Sequence, residues 1–240
     1  MTTSPNAQGA LAFVCAMPME LVPLTHKLGL ADTEIGGGPA QRGTLDGRDV
    51  VAIVTGMGMD YARDGVERLL DGVPVAHVLV VGITGALESE TPIGTLVWPE
   101  VVVNSQTGSE HAPTLIGERK PAGKMFTAVG LTTDPNRLAE LRADGVVSLD
   151  METAAIAACC EARGIPWTVF RAISDRANDG SVDEELFALS NMDGTPNHDA
   201  IKAYFEKYPE RLEQMAKMGE DATLATNVAA DAAIAACALL

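Results

Sequence analysis

The sequence predicts a three-layer α/β/α sandwich, with helices on both faces of a mixed, largely parallel, twisted central sheet. Three observations carry that prediction. Short, nearly continuous apolar runs recur along the chain, each bounded by glycine or proline. Amphipathic or alanine-rich stretches of helical length lie between them. No low-complexity linker or internal repeat divides the 240 residues, so 1–240 is expected to be a single domain.

The runs at 10–17, 49–58, 75–83, 94–103 and 165–173 read as strands. Their apolar residues are contiguous rather than alternating, the pattern of strands covered on both faces. Shorter strands are expected at 126–131 and 145–149. "QRGTLDGRDV" (41–50) supplies a hairpin, with Asp46-Gly47 at its tip. A helix over 18–30 places Leu21, Leu24 and Leu28 on one face and stops at Gly29. Others span 59–72, ending at Gly72, and 151–164, where Gly164 suits the left-handed cap conformation. Two more follow near 199–218 and 221–239. The polar, Gly- and Pro-rich segments 104–124 and 178–198 read as long loops, the second holding Asp179-Gly180, Asp193-Gly194 and Pro196. Loops of that length in compact domains tend to serve function.

Composition narrows the partners. Hydrophobic residues make up 47% of the chain, enough for a large core, and the formal net charge is −16. Such an acidic surface repels polyanions, so neither nucleic acid nor an anionic membrane is expected as a partner. The four cysteines (Cys15, Cys159, Cys160, Cys237) form no CxxC pair and read as buried free thiols in a reducing compartment. The four histidines lack metal-ligand spacing, so no metal and no cofactor are expected. "MTTSPNAQGA" has no basic region before its apolar stretch, unlike a secretory signal. Asn227 and Asp231 interrupt the apolar C-terminal stretch, which reads as a packed helix. A cytoplasmic protein is expected.

Ligands of open α/β sheets bind beyond the carboxyl ends of the strands. There the chain offers Glu20, then Gly56-Met57-Gly58, then Thr84 and Gly85, then Asp150-Met151-Glu152, and finally Arg171, Ser174 and Asp175. Several carboxylates, one arginine and a hydroxyl suit a polyhydroxylated ligand or acid/base chemistry. Each has a plainer reading. Glu20, Asp150 and Glu152 would sit in first helical turns, where the macrodipole favours acids. Gly56 and Gly58 would serve a strand-to-helix turn. Arg171 and Asp175 would form a structural ion pair. No G-x-S-x-G is present, and no cysteine stands at a strand end beside a histidine, so a nucleophilic hydrolase is poorly supported. What remains is protonation of a leaving group, with water attacking.

Over roughly residues 10–190 the order of these motifs resembles the purine/uridine phosphorylase superfamily. Within it, the chain resembles the small nucleosidase branch typified by 5′-methylthioadenosine/S-adenosylhomocysteine nucleosidase. The resemblance rests on "AMPMEL" (16–21), "TGMG" (55–58), "VGITGALESETPIGTLVWPEVVV" (81–103), "LDMETAAIA" (149–157) and "FRAISDRAND" (170–179). It implies that Asp175 is the general acid for N7 of a departing purine and that Ser174 helps to place it. Glu20 would orient or deprotonate the attacking water with the aid of Arg171. Glu152 would hold the ribose hydroxyls, Met151 would lie against the sugar, and Met57, Ile83 and Thr84 would complete the substrate site.

Superfamily phosphorylases hold phosphate with arginines in the first loop and before the glycine-rich turn, and with a serine in that turn. Here the first loop is "AMPME", Val80 precedes the turn and Ile83 takes the serine position, which favours water as nucleophile. The turn also has Ala86 where the nucleosidases have glycine, and Thr84 stands next to Ile83 as a replacement hydroxyl. The base-binding loop is expected at 130–137, "GLTTDPNR". The implied activity is hydrolysis of a 5′-modified purine nucleoside to base and sugar. A nucleoside phosphorylase, a futalosine hydrolase-like nucleosidase and a non-catalytic nucleoside-binding protein are the alternatives. The resemblance also implies a homodimer or higher oligomer, burying apolar surface near 81–103.

Overall fold

The computed structural model describes residues 9–177 and 182–240, so the Asp179-Gly180 turn expected in the second long loop lies outside the described residues. Strand β1 (Ala10–Cys15) is wholly buried and leads into helix α1 (Pro18–Leu28), which ends at Gly29 in the left-handed conformation. A meander of β2 (Ala31–Ile35), β3 (Gly38–Leu45) and β4 (Arg48–Val54) follows, turning at Asp46-Gly47 as expected. Helix α2 (Met59–Gly72) precedes the long β5 (Val75–Ala86). Then come β6 (Leu96–Val97), β7 (Val101–Asn104), β8 (Glu110–His111), β9 (Lys124–Thr127), α3 (Pro135–Ala143), β10 (Val146–Asp150), α4 (Thr153–Ala162) and β11 (Trp167–Arg176). The chain closes with α5 (Glu184–Phe187), α6 (His198–Lys207), a 3₁₀ turn at Pro209–Arg211 and α7 (Leu212–Cys237).

The strands form one mixed sheet in the order β2-β3-β4-β1-β5-β10-β9-β7-β8, with β11 on the other edge of β5 and β6 beyond it. β1 is parallel to β4 and β5, β11 is parallel to β5, and β10 is antiparallel to β5. Helices α2 and α4 cover one face, over a core that includes Val51, Val80, Val169 and Ile156. Helices α1 and α7 cover the other, over Phe13, Leu79 and Phe170. The three layers expected from the sequence are present.

Several elements depart from expectation. The run 94–103 is two short strands: Pro99 breaks it, β6 pairs with β11, and β7 pairs with β9. Trp98, at the break, packs edge-on against Phe170, 5.5 Å between ring centroids. The last helices divide at Tyr208–Arg211 rather than near 219, because Pro209 ends α6 while Gly219 lies inside α7. The segment 104–124 contains β8, and 182–198 contains α5. The expected loop 130–137 becomes helix α3 from Pro135 onward, capped by the Asp134 carboxylate accepting from Arg137 N.

One feature of the topology prepares the site. β1 pairs with β5 only as far as Val80, and β10 takes the same edge of β5 at Gly85 and Ala86. Between them, Val81–Thr84 has no strand on that edge among the described residues. The sheet parts there, and the backbone polar groups it exposes must find other partners.

Candidate active site

The parting opens into a cavity of about 290 Å³ that takes in all nine sequence-nominated residues: Glu20, Met57, Ile83, Thr84, Met151, Glu152, Arg171, Ser174 and Asp175. Ile83 sits at the centre of the gap. Its backbone N–H donates to Glu20 Oε1 (2.8 Å), and its carbonyl accepts from Arg171 Nη1 (2.7 Å). Two charged side chains thus do the work of the missing strand.

Glu20 is fully buried in the first turn of α1. Its Oε2 accepts from Ala16 N (2.7 Å) and Met17 N (2.9 Å), so it reaches back over the helix start as a capping acid does. The bond to Ile83 on another element goes beyond that local role. Burial pushes its pKa up, opposed by Arg171 and the three backbone donors. Glu152 Oε1 accepts from Gly58 N (2.8 Å), and Oε2 accepts from Arg171 Nη2 (3.0 Å). Burial raises Glu152 to about 7, Arg171 works against this, and the Asp150 and Glu20 charges add to it. Gly58 has φ +98°, which glycine alone adopts freely, so the turn glycine also aims an N–H at Glu152.

Arg171 is buried on β11 and meets Glu152 and Asp150 at 3.0 Å each and Glu20 at 3.8 Å. Burial disfavours its charge, but these carboxylates outweigh that and hold the guanidinium above its ordinary pKa. Its ion-pair partners lie on α1, β10 and the loop before α4. Ser174 and Asp175 follow on the same strand, past a register shift between Ile173 and Asp175. The Ser174 hydroxyl donates to Asp175 Oδ2 at 2.6 Å. The Thr84 hydroxyl, a candidate to replace the turn serine, donates to the Leu149 carbonyl (2.6 Å) and ties β5 to β10.

The chain matches the phosphorylase superfamily over residues 10–129 and 122–217. It belongs to that superfamily. Among curated relatives, 5′-methylthioadenosine/S-adenosylhomocysteine nucleosidase of Geobacillus kaustophilus is 27% identical over 201 residues, covering 71% of this chain and 86% of the relative. The enzyme of the same name from Marinomonas sp. is 28% identical, covering 56% and 71%. Among solved structures, the Neisseria meningitidis nucleosidase of that name in complex with methylthio-immucillin-A is 18% identical. It aligns with a TM-score of 0.69, covering 95% of this chain and 99% of that one. The futalosine hydrolase of Helicobacter pylori aligns with a TM-score of 0.68 at 15% identity, covering 93% and 95%. This superfamily fold therefore extends to the C-terminal helices, for which the sequence held no motif.

Sequence reasoning assigned no role to three parts of this superfamily member's site. Asp150, a strand-end candidate whose plainer reading is a first-turn acid, lines the cavity and contacts Arg171. Gly82 packs against Glu20. Val182, Leu186, Phe187 and Ser190, in and around α5, also line the cavity. Only "LDMET" carried a signal, since three polar residues in five at a strand end exceed what one helix cap needs.

Proposed function

We propose that the protein is a nucleosidase that hydrolyses the N-glycosidic bond of a 5′-modified purine nucleoside, of the methylthioadenosine or adenosylhomocysteine kind. The charge balance at the gap in β5 carries this reading. Glu20, Asp150 and Glu152 converge on Arg171, the one cation among the described residues lining the cavity, and that cation is already engaged. A site with such an excess of buried negative charge stabilises an oxocarbenium-like transition state. It has no cationic cradle to offer phosphate, so water is the nucleophile.

In this reading Asp175, held by Ser174, protonates N7 of the leaving purine. Glu20 accepts three backbone N–H bonds, and a carboxylate has about four acceptor sites, so one is left for the attacking water. Its raised pKa makes it a better base. Arg171 orients that water from the other side. Glu152 accepts from the ribose hydroxyls, Met151 lies against the sugar, and Met57, Ile83 and Thr84 shape the rest. Leu186 and Phe187, which line the cavity, suit the thioether part of such a 5′ substituent.

A cytoplasmic homodimer or higher oligomer accompanies this reading. Four free buried cysteines support a reducing compartment, and among the described residues no helix is long and apolar enough to cross a membrane.

The test is base release from methylthioadenosine, adenosine, inosine and futalosine, with and without phosphate. Phosphate-independent release is expected. Strict dependence on phosphate would identify a phosphorylase, and binding without turnover a sensor.

A further inference from the structure

Asp150 ends β10 three residues before Thr153, the first of α4, where an acid ordinarily serves the helix start. It does accept from Thr153 N (2.7 Å) and Glu152 N (3.2 Å) through Oδ2. Capping does not account for its other contacts. Oδ2 also accepts from the Thr153 hydroxyl (2.5 Å) and faces Arg171 Nη2 at 3.0 Å. Oδ1 accepts from the Thr127 hydroxyl (2.6 Å), whose oxygen in turn accepts from Ala154 N (3.0 Å). The Thr153 oxygen accepts from Arg171 Nε (3.0 Å), so Arg171, Thr153 and Asp150 close a ring.

That ring governs where the guanidinium points. Arginine has five N–H groups in a fixed plane. Nε serves Thr153, Nη2 lies between Glu152 and Asp150, and one Nη1–H serves the Ile83 carbonyl. The N–H left over is on Nη1, the group 3.8 Å from Glu20 Oε1.

We propose that Asp150 is a positioning residue for the hydrolysis: with the Thr153 hydroxyl it locks the Arg171 guanidinium so that the remaining Nη1–H meets the nucleophile beside Glu20. The inference rests on the nucleosidase reading above. Asp150 touches no reacting atom and acts through Arg171. Its charge also bears on Glu152, whose other charged neighbours are Arg171 and Glu20.

Asp150→Asn separates the two roles. The amide oxygen still accepts from Thr153 N, so the cap survives, and its NH₂ can donate to Thr127. The anion opposite Arg171 is lost. kcat for base release is expected to fall about tenfold to a hundredfold, the scale of a misplaced reacting group, with KM barely changed. The acid limb of the kcat/KM profile should move to lower pH, because Glu152 loses a neighbouring anion. Thr153→Val should lower kcat in the same direction, and Thr153→Ser should restore it; this pair decides the matter if Asp150→Asn fails to fold. A folded Asp150→Asn with wild-type kcat and pH profile, or a variant that loses only melting temperature, overturns the inference while the nucleosidase reading stands. Wild-type protein that releases base from no nucleoside overturns both.

Discussion

Gly82 lies against the Glu20 carboxylate so closely that a Cβ built on it would stand 2.1 Å from Oε1 and 2.5 Å from Cδ. The position of the carboxylate therefore depends on a side chain that is not there. Gly82→Ala should force Glu20 off Ala16 N, Met17 N and Ile83 N. Overpacking of this kind costs about 1–3 kcal/mol, and displacing a reacting group can cost about a hundredfold in rate. Melting temperature and base release should fall together. Wild-type turnover in a folded Gly82→Ala protein would exclude Glu20 from the chemistry.

Asp175→Asn keeps the shape of the side chain and the contact with Ser174 but removes the transferable proton. A general acid supplies about 10²–10⁴-fold in rate, so turnover should drop by that order. Nucleoside binding, measured by calorimetry, should remain close to wild type. Equal loss of binding and turnover would make Asp175 a binding group instead.

Glu20 and Glu152 both have raised pKa values in the fold, Glu152 to about 7. A carboxyl raised on folding binds its proton more tightly in the native state, so its contribution to stability is greatest at low pH. That contribution is lost as pH climbs through the folded value. The melting temperature should therefore decline between about pH 4.5 and 7. In the proposed reading Glu152 binds the ribose as the ionised carboxylate, so kcat/KM should rise over the same window. Glu152→Gln should flatten its part of both slopes, and a melting temperature that climbs from pH 5 to 7 would contradict the assignment.

Arg171→Met leaves three buried carboxylates without their shared cation. Breaking a buried ion pair from one side costs about 3–5 kcal/mol. Protonation can relieve that cost, so urea denaturation should show the variant closer to wild type at pH 5 than at pH 8. A constant difference across that range would mean that the carboxylates do not depend on Arg171 for their charge.

Much of this site could be read in the residues. β1, β4, β5 and the first part of β11 are buried on both faces, so contiguous apolar runs announced them. Gly29 and Gly164 take the left-handed conformation that their places after helices implied. β2, an exposed "ADTEI" edge, gave no such signal. Helix α3 is short and largely polar, and the available cue was local: Asp134 as cap with Pro135 in the first turn. The strand break at Pro99 was misjudged because apolar residues flank it on both sides. Asp150 resembled any acid before a helix, since nothing in the sequence reports that a strand 21 residues later delivers a guanidinium to it. Gly82 was silent for a related reason: a glycine in a strand says that something approaches, not what.

The two glycines of β5 that crowd carboxylates are Gly82, beside Glu20, and Gly85, where a Cβ would stand 3.0 Å from Asp175 Oδ1. Three residues apart on a strand, they look to opposite sides of it. In the proposed reading the water is activated beside Gly82 and the base leaves beside Gly85, at two separate points of the cavity. With water attacking and no covalent intermediate in that reading, the freed sugar should emerge with its anomeric configuration inverted.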